Sequence, residues 1–195
     1  MKRTRIIVIV VVCVALLVGG YAYWMNHNSN ASSENIELSK AQQLITKDLS
    51  KNYPATPREV VKIYNEIITC FYNEECTEAE LEALVDMTLL LMDEELAVNN
   101  PKEDYLKKVK AEILAYEVAE RTIVSYTLES SNEVEYGTID GEESAVVQTS
   151  YFIKSDAEKN PYSKTYQDYL LRKDAEGKWK ILGFEKVEGD TSNGK

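Results

Sequence analysis

The sequence predicts an α+β fold in which helices pack on a curved antiparallel sheet, with one membrane-spanning helix before them. Three observations support this prediction. An uninterrupted apolar segment occupies residues 6–25. Helical periodicity with clear start signals then runs to about residue 121, and strand-type alternation with turn signals fills the rest of the chain.

The apolar segment has the length of a transmembrane helix, because its 20 residues reach about 30 Å at a helical rise of about 1.5 Å each. Lys2, Arg3 and Arg5 precede it, and the next basic residue is Lys40. The positive-inside rule therefore places the N-terminus in the cytoplasm and the rest of the chain outside. A cleaved signal peptide is the alternative, but the apolar run is longer than such a peptide needs.

Composition divides the chain into five parts. The part after the apolar segment is polar and lacks periodicity at first, although a short helix is expected within residues 36–52, either packed on the domain or forming a stalk. The predicted parts are a cytoplasmic N-terminus (1–5), a transmembrane anchor (6–25), a juxtamembrane linker with the short helix (26–55), an extracytoplasmic α+β domain (56–188) and a disordered tail (189–195).

Three helices of the domain have recognisable starts. Each start combines a capping residue with a proline or an acidic residue in the first turn, as helix N-termini prefer. We expect the second helix to continue as far as Leu96 and the third to end near Arg121. The capping residues are Thr56, Thr77 and Asn100.

The strands are predicted from runs of β-branched and aromatic residues. They are expected at residues 123–129, 134–139, 144–153, 164–173 and 178–187. Asp140-Gly141 marks a tight hairpin, and residues 174–177 mark a second one. In the last strand Trp179, Ile181 and Gly183 form the more apolar of the two alternating sets, so we expect them to face the helices.

Charge limits the partners of the outer part. Three of the 22 basic residues lie in the first five positions, which leaves 19 against 33 acidic residues, a net charge of −14. Such a surface repels phosphate backbones, so no nucleic-acid partner is expected. No sequence motif indicates a metal site or a cofactor, because the acidic clusters lack the spacing of a calcium-binding loop.

Cys70 and Cys76 are the cysteines of the outer part. An extracytoplasmic location permits disulfides, so a Cys70–Cys76 bridge is one alternative and two free thiols are the other. The spacing alone does not establish that the two Cα atoms lie within bridging distance.

The order of helices and strands resembles the cystatin-like cone of the nuclear-transport-factor-like superfamily, in which N-terminal helices close over a bent sheet. Residues 170–183 are similar to the final hairpin of such domains. Enzymes of that superfamily use Asp, Tyr or His side chains at the open mouth of the cone to move protons.

A closer resemblance covers nearly the whole chain. The anchor, Tyr53-Pro-Ala-Thr-Pro-Arg-Glu-Val-Val61, Tyr72-Asn-Glu-Glu-Cys76, Asp93-Glu-Glu-Leu96 and Leu171-Arg-Lys-Asp174 are similar to a family of single-span proteins, mostly of clostridia-like Gram-positive bacteria, described as a domain of unknown function. The resemblance implies a cell-surface location and supplies no catalytic residues.

Four residues are candidates for a ligand site. Tyr166, Asp168 and Arg172 share one face of a predicted strand, and Tyr151 lies on the strand expected beside it. The same pattern fits a solvent-exposed face with Gln167, Tyr169 and Leu171 inside. We therefore expect a membrane-tethered binding or interaction module for a protein or a small molecule, with no cofactor. An extracytoplasmic enzyme with a Tyr/Asp acid–base pocket is the alternative.

The topology can be tested with intact cells. Because the charge asymmetry places the domain outside, protease added to cells or spheroplasts should remove everything after about residue 26 and leave a short anchor. Recovery of a secreted form that begins near Tyr23 would contradict this topology and support the signal peptide.

Overall fold

The structure is a computed structural model that describes residues 38–188. Its helices are α1 (Lys40–Ile45), α2 (Pro57–Asn73), α3 (Glu78–Leu91), α4 (Glu94–Val98) and α5 (Lys102–Val118). Its strands are β1 (Arg121–Leu128), β2 (Glu135–Ile139), β3 (Glu142–Ser155), β4 (Tyr162–Lys173) and β5 (Trp179–Val187).

The predicted cytoplasmic N-terminus, the anchor, the first part of the linker (residues 26–37) and the tail lie outside the described residues. Within residues 38–188, none of the helices combines the length and the apolar character that crossing a bilayer requires.

The strands form one antiparallel sheet that is not closed, in the order β1-β3-β4-β5. β1 and β2 both pair with β3, because β3 is long enough for β1 to use one half of it and β2 the other. β3, β4 and β5 are neighbours in chain order, and the α+β prediction with an antiparallel sheet is confirmed.

The core lies between the helices and one face of the sheet. The buried positions alternate along β3 at Ala145, Val147, Thr149 and Tyr151, as expected for a strand with one covered face. Their partners in the core include the largest buried side chains of α2 and α3, namely Val60, Val61, Ile67, Phe71, Leu84, Val85 and Leu91.

The predicted starts of α2 and α3 are confirmed. Thr56 Oγ1 accepts a hydrogen bond from the Glu59 amide at 3.2 Å, and the Glu59 carboxylate accepts one from the Thr56 amide at 3.1 Å. Thr77 and Glu80 repeat this reciprocal arrangement at 3.3 and 2.9 Å. Each capping box satisfies two amides that the first helical turn would leave unpaired.

The short helix α1 packs on the domain. It covers only residues 40–45 of the predicted 36–52, and Ser39 and Gln42 form a capping box at its start. Ala41, Leu44 and Leu49 are buried in the same core as α2 and α3. Burial of these side chains is a reason for α1 to be fixed to the domain and not to stand as a stalk.

The expected continuation of α3 to Leu96 is wrong. The helix stops at Leu91, because Met92 adopts an extended conformation and pairs with Ile181 of β5. The Asp93 amide donates to the Ile181 carbonyl at 2.8 Å. The Asp93 side chain then caps the separate helix α4 by accepting from the Glu95 amide at 3.0 Å.

The third helix also differs at both ends. Pro101 precedes α5 without a side-chain cap. The predicted cap Asn100 instead accepts a hydrogen bond from Lys108 Nζ at 3.0 Å and donates to the Leu96 carbonyl. The helix ends at Val118, short of Arg121, because Glu120 takes a φ of 48° and directs the chain into β1.

The two predicted hairpins are present. Asp140 and Gly141 have φ values of 54° and 90°, the pair of positive values that a two-residue type I′ turn needs. In the second hairpin Gly177 has a φ of 76°, and Asp174 Oδ1 accepts hydrogen bonds from the amides of Glu176 and Lys178.

A β-bulge in β5 changes which side chains face the helices. Leu171 pairs with Ile181, but Leu170 pairs with Gly183, so Leu182 is an extra residue. Trp179 and Ile181 face the helices, as predicted, with 5% and 0% exposure. The expectation that Gly183 joins them is wrong, because after the bulge Phe184 takes the inward register beside Tyr169.

Trp179→Ala should lower the free energy of unfolding by about 3–5 kcal/mol, because it leaves a cavity in the core. Trp179→Phe should cost far less. Urea denaturation of the full chain followed by circular dichroism measures both. In a Trp24→Phe background, Trp179 fluorescence should be blue-shifted and hard to quench, and a red-shifted emission in the folded protein would contradict the assigned strand register.

Candidate functional site

The four residues predicted to form a ligand site do not lie together. Tyr151 is buried on the face of the sheet that the helices cover. Tyr151 pairs with Thr165, so alternation along β4 puts Tyr166, Asp168 and Arg172 on the opposite face. Tyr169 and Leu171, which alternate with them, are the buried residues of β4.

Arg172 is already paired with carboxylates. Its guanidinium donates to Asp93 at 2.8 and 3.3 Å and lies 3.5 Å from Glu95 and 3.6 Å from Asp140. The hydrogen bond to Asp93 is the main reason that the pKa of Arg172 is raised. Because Asp93 is only 4% exposed, this pair ties β4 to the corner between α3 and α4. A structural role therefore explains Arg172.

Asp168 and Tyr166 lie on the same outer face without forming a pocket with Tyr151. The Asp168 carboxylate accepts a hydrogen bond from Gln148 Nε2 at 2.9 Å across the β3–β4 pair. Lys164 Nζ lies 4.7 Å from the centre of the Tyr166 ring. Both contacts are between neighbouring side chains of the sheet surface.

A different group of side chains encloses a cavity of about 280 Å³ between α2, α5 and the inner face of the sheet. We call it the tyrosine pocket. Phe184, Ile68 and Val109 supply part of its apolar wall. The rest of the wall includes six tyrosines and one glutamate, namely Tyr64, Tyr72, Tyr105, Tyr116, Tyr151, Tyr169 and Glu112.

Helical spacing brings these side chains to one side of each helix. Tyr64, Ile68 and Tyr72 are four residues apart on α2, and Tyr105, Val109, Glu112 and Tyr116 follow the same face of α5. Apart from Val109, the pocket-lining residues of α5 are not fully buried. The helix therefore covers the sheet without filling the space beneath it.

The base of the pocket is a buried hydrogen-bond network around Asn65. Asn65 Oδ1 accepts from the hydroxyls of Tyr151 and Tyr169, the latter at 3.2 Å, and Asn65 Nδ2 donates to Thr149 Oγ1 at 3.1 Å. The two tyrosine hydroxyls are 2.5 Å apart. Asn65 and Thr149 are fully buried, so these bonds replace the water that the groups lose on folding.

The charged residue of the pocket, Glu112, lies at its rim. Glu112 accepts a hydrogen bond from the Tyr72 hydroxyl at 2.7 Å. The Tyr72 ring stacks on Tyr116 with centroids 4.0 Å apart and an angle of 8° between the planes. This stack joins α2 to α5 at the edge of the cavity.

Burial raises the pKa of the tyrosine hydroxyls in the pocket. The increase is large for Tyr64 and Tyr169, and the pKa of Tyr105 rises to about 12. The pKa of Tyr151 and of Tyr72 is raised for the same reason. These hydroxyls are therefore protonated at neutral pH, where they act as hydrogen-bonding groups and not as bases.

The two cysteines of the domain are free thiols in the structure. Cys70 is buried in the last turn of α2, where desolvation raises the pKa of its thiol to about 11. Such a thiol is a poor nucleophile near neutral pH. The Cys70–Cys76 bridge stays a prediction.

Across residues 38–188, no group of three or more His, Cys, Asp and Glu side chains is placed to hold a metal ion.

A family model described as a domain of unknown function, DUF6715, matches residues 1–184. The chain belongs to this family. The match spans the apolar N-terminal segment as well as the domain that carries the tyrosine pocket. No curated protein matches the chain.

Seven solved chains match this member of the DUF6715 family. One is the intermembrane space region of the chloroplast protein ARC6, which is 14% identical over 73% of this chain and 98% of that one, with a TM-score of 0.36. At this TM-score the likeness supports no inference about this chain.

Asn65→Ala should lower the free energy of unfolding by about 1–3 kcal/mol, because it leaves buried hydroxyls without their partner. Tyr166→Phe is the control: it removes a hydroxyl from the outer face of the sheet and should change the stability by less than about 0.5 kcal/mol. Urea denaturation of the full chain measures both. Equal midpoints for the two variants would show that the network contributes nothing.

Proposed function

We propose that this protein is a membrane-tethered, extracytoplasmic binding module and that the tyrosine pocket holds a small organic ligand. Residues 6–25 serve as the tether, with the N-terminus in the cytoplasm. The order of helices followed by an antiparallel sheet supports a cystatin-like architecture, and the pocket occupies the space between the two layers.

The observation that carries the proposal is the lining of the pocket. Aromatic rings supply apolar contact, and a few hydroxyls and one carboxylate stand at defined positions among them, as in binding sites for small molecules. A cavity of about 280 Å³ is slightly smaller than the roughly 300 Å³ at which typical ligand sites begin. We therefore expect a compact ligand.

Binding is better supported than acid–base catalysis. A proton-transfer site needs a group that changes its protonation near the working pH. The pocket tyrosines have raised pKa values, and Asp168 lies on the other face of the sheet from Tyr151. The Tyr/Asp pocket of the enzyme alternative would need these two side chains on one face.

Fluorine NMR of the full chain, labelled with 3-fluorotyrosine and held in mild detergent, tests the proposed site. Choline, 3,3-dimethylbutan-1-ol, phenol and benzoate serve as cationic, neutral and anionic compounds. At least one of them should shift the signals of Tyr72, Tyr105 or Tyr116 in a saturable way. Tyrosine-to-phenylalanine variants assign the signals.

Two neighbouring substitutions separate the pocket from the rest of the sheet. Thr165 lines the pocket and Tyr166 faces away from it. Thr165→Trp should fill the cavity and abolish the shifts, while Tyr166→Trp should leave them unchanged. The proposal is wrong if none of the compounds shifts the pocket signals, or if Thr165→Trp leaves the shifts intact.

A further inference from the structure

We infer that the ligand of the tyrosine pocket is a compact organic cation, of the quaternary or heavily methylated ammonium class. This inference rests on the proposed function and assigns a chemistry to the same site. It follows from the charge of the lining, the exposure of its carboxylate and the aromatic rings.

The charge of the pocket favours a cation. Among its lining residues in the described part of the chain, Glu112 is the charged group and none is Lys or Arg. Arg121 is near enough to Tyr116 to lower the pKa of that hydroxyl somewhat, against the larger effect of burial, but Arg121 is paired with Glu158 at 2.9 Å. The chain as a whole has a formal net charge of −11, which attracts cations and repels anions.

Glu112 has room for a second partner. Its Oε2 atom accepts the Tyr72 hydroxyl, and an ionised carboxylate has two oxygens with about four acceptor positions in all. The residue is exposed at the rim, so a cation can reach its carboxylate without the cost of burying an isolated charge.

The aromatic rings provide the second attraction. A cation within about 6 Å of a ring centre is attracted by the electrons of the ring face. Elsewhere in the described residues the protein fills such positions with its own lysines, which lie 4.4 Å from the ring centre of Tyr53, 4.7 Å from Tyr166 and 5.1 Å from Trp179. Within residues 38–188, no lysine or arginine occupies such a position over the tyrosines of the pocket.

The apolar side of the wall selects the kind of cation. A primary ammonium is strongly hydrated and loses that hydration when it enters a partly enclosed site. Methyl groups around the nitrogen spread the charge and give apolar contact with Ile68, Val109 and Phe184. A methylated ammonium therefore matches both the carboxylate and the apolar wall.

Choline and its neutral isostere 3,3-dimethylbutan-1-ol test the inference, because they have nearly the same shape and differ in charge. In fluorine NMR titrations of the full chain, choline should bind at least about tenfold more tightly than the isostere. Glu112→Gln keeps an acceptor for Tyr72 and should weaken choline binding about tenfold while leaving the isostere unchanged. Glu117→Gln, on the same helix but outside the pocket, should change neither affinity.

The outcomes separate this inference from the proposed function. If the isostere, phenol or benzoate binds as tightly as choline and Thr165→Trp abolishes that binding, the pocket is a ligand site but the inference of a cation is overturned. An unchanged choline affinity in Glu112→Gln also overturns it. If none of the compounds shifts the pocket signals, the proposed function fails as well.

Discussion

The buried side chain of Asn65 fixes the position of α2 on the sheet. It joins the helix to Thr149 and Tyr151 on β3 and to Tyr169 on β4. A slip of one residue in either strand would turn these groups to the outer face and leave the Asn65 amide buried without partners. Apolar packing alone tolerates small shifts more easily, so this polar network specifies the register between the two layers.

The tyrosine pocket follows from that register and from the loose cover of α5. Tyr151 and Tyr169 reach Asn65 with their hydroxyls, so their rings form the floor of a space that aliphatic side chains would have filled. The bulge at Leu182 adds Phe184, which is 46% exposed, to one wall. Six of the thirteen tyrosines of the chain line this pocket.

Helix starts and tight turns depend on residues that are close in sequence, and most of these features were predicted correctly. The capping boxes at Thr56 and Thr77 and the Asp140-Gly141 turn depend on residues within four positions of one another, and all three are present. Features that depend on distant contacts were missed. Met92 leaves the helical pattern because Ile181 offers it a strand partner, and Asn100 is drawn from its cap position by Leu96 and Lys108.

The sequence could not show that Tyr151 and the three β4 residues lie on opposite faces of the sheet, for a related reason. Alternation along β4 gives two faces that both carry a tyrosine and a leucine, and the choice between them depends on Asn65, which is about 100 residues away in sequence. The helix residues Tyr64, Tyr72, Tyr105 and Tyr116 showed helical spacing, but that spacing is equally typical of ordinary core residues. These four side chains also border a cavity of about 280 Å³, which is bounded by further hydroxyl groups and one exposed carboxylate. A site of this kind depends on the distance between two layers, and that distance is set by side chains from every element that bounds it.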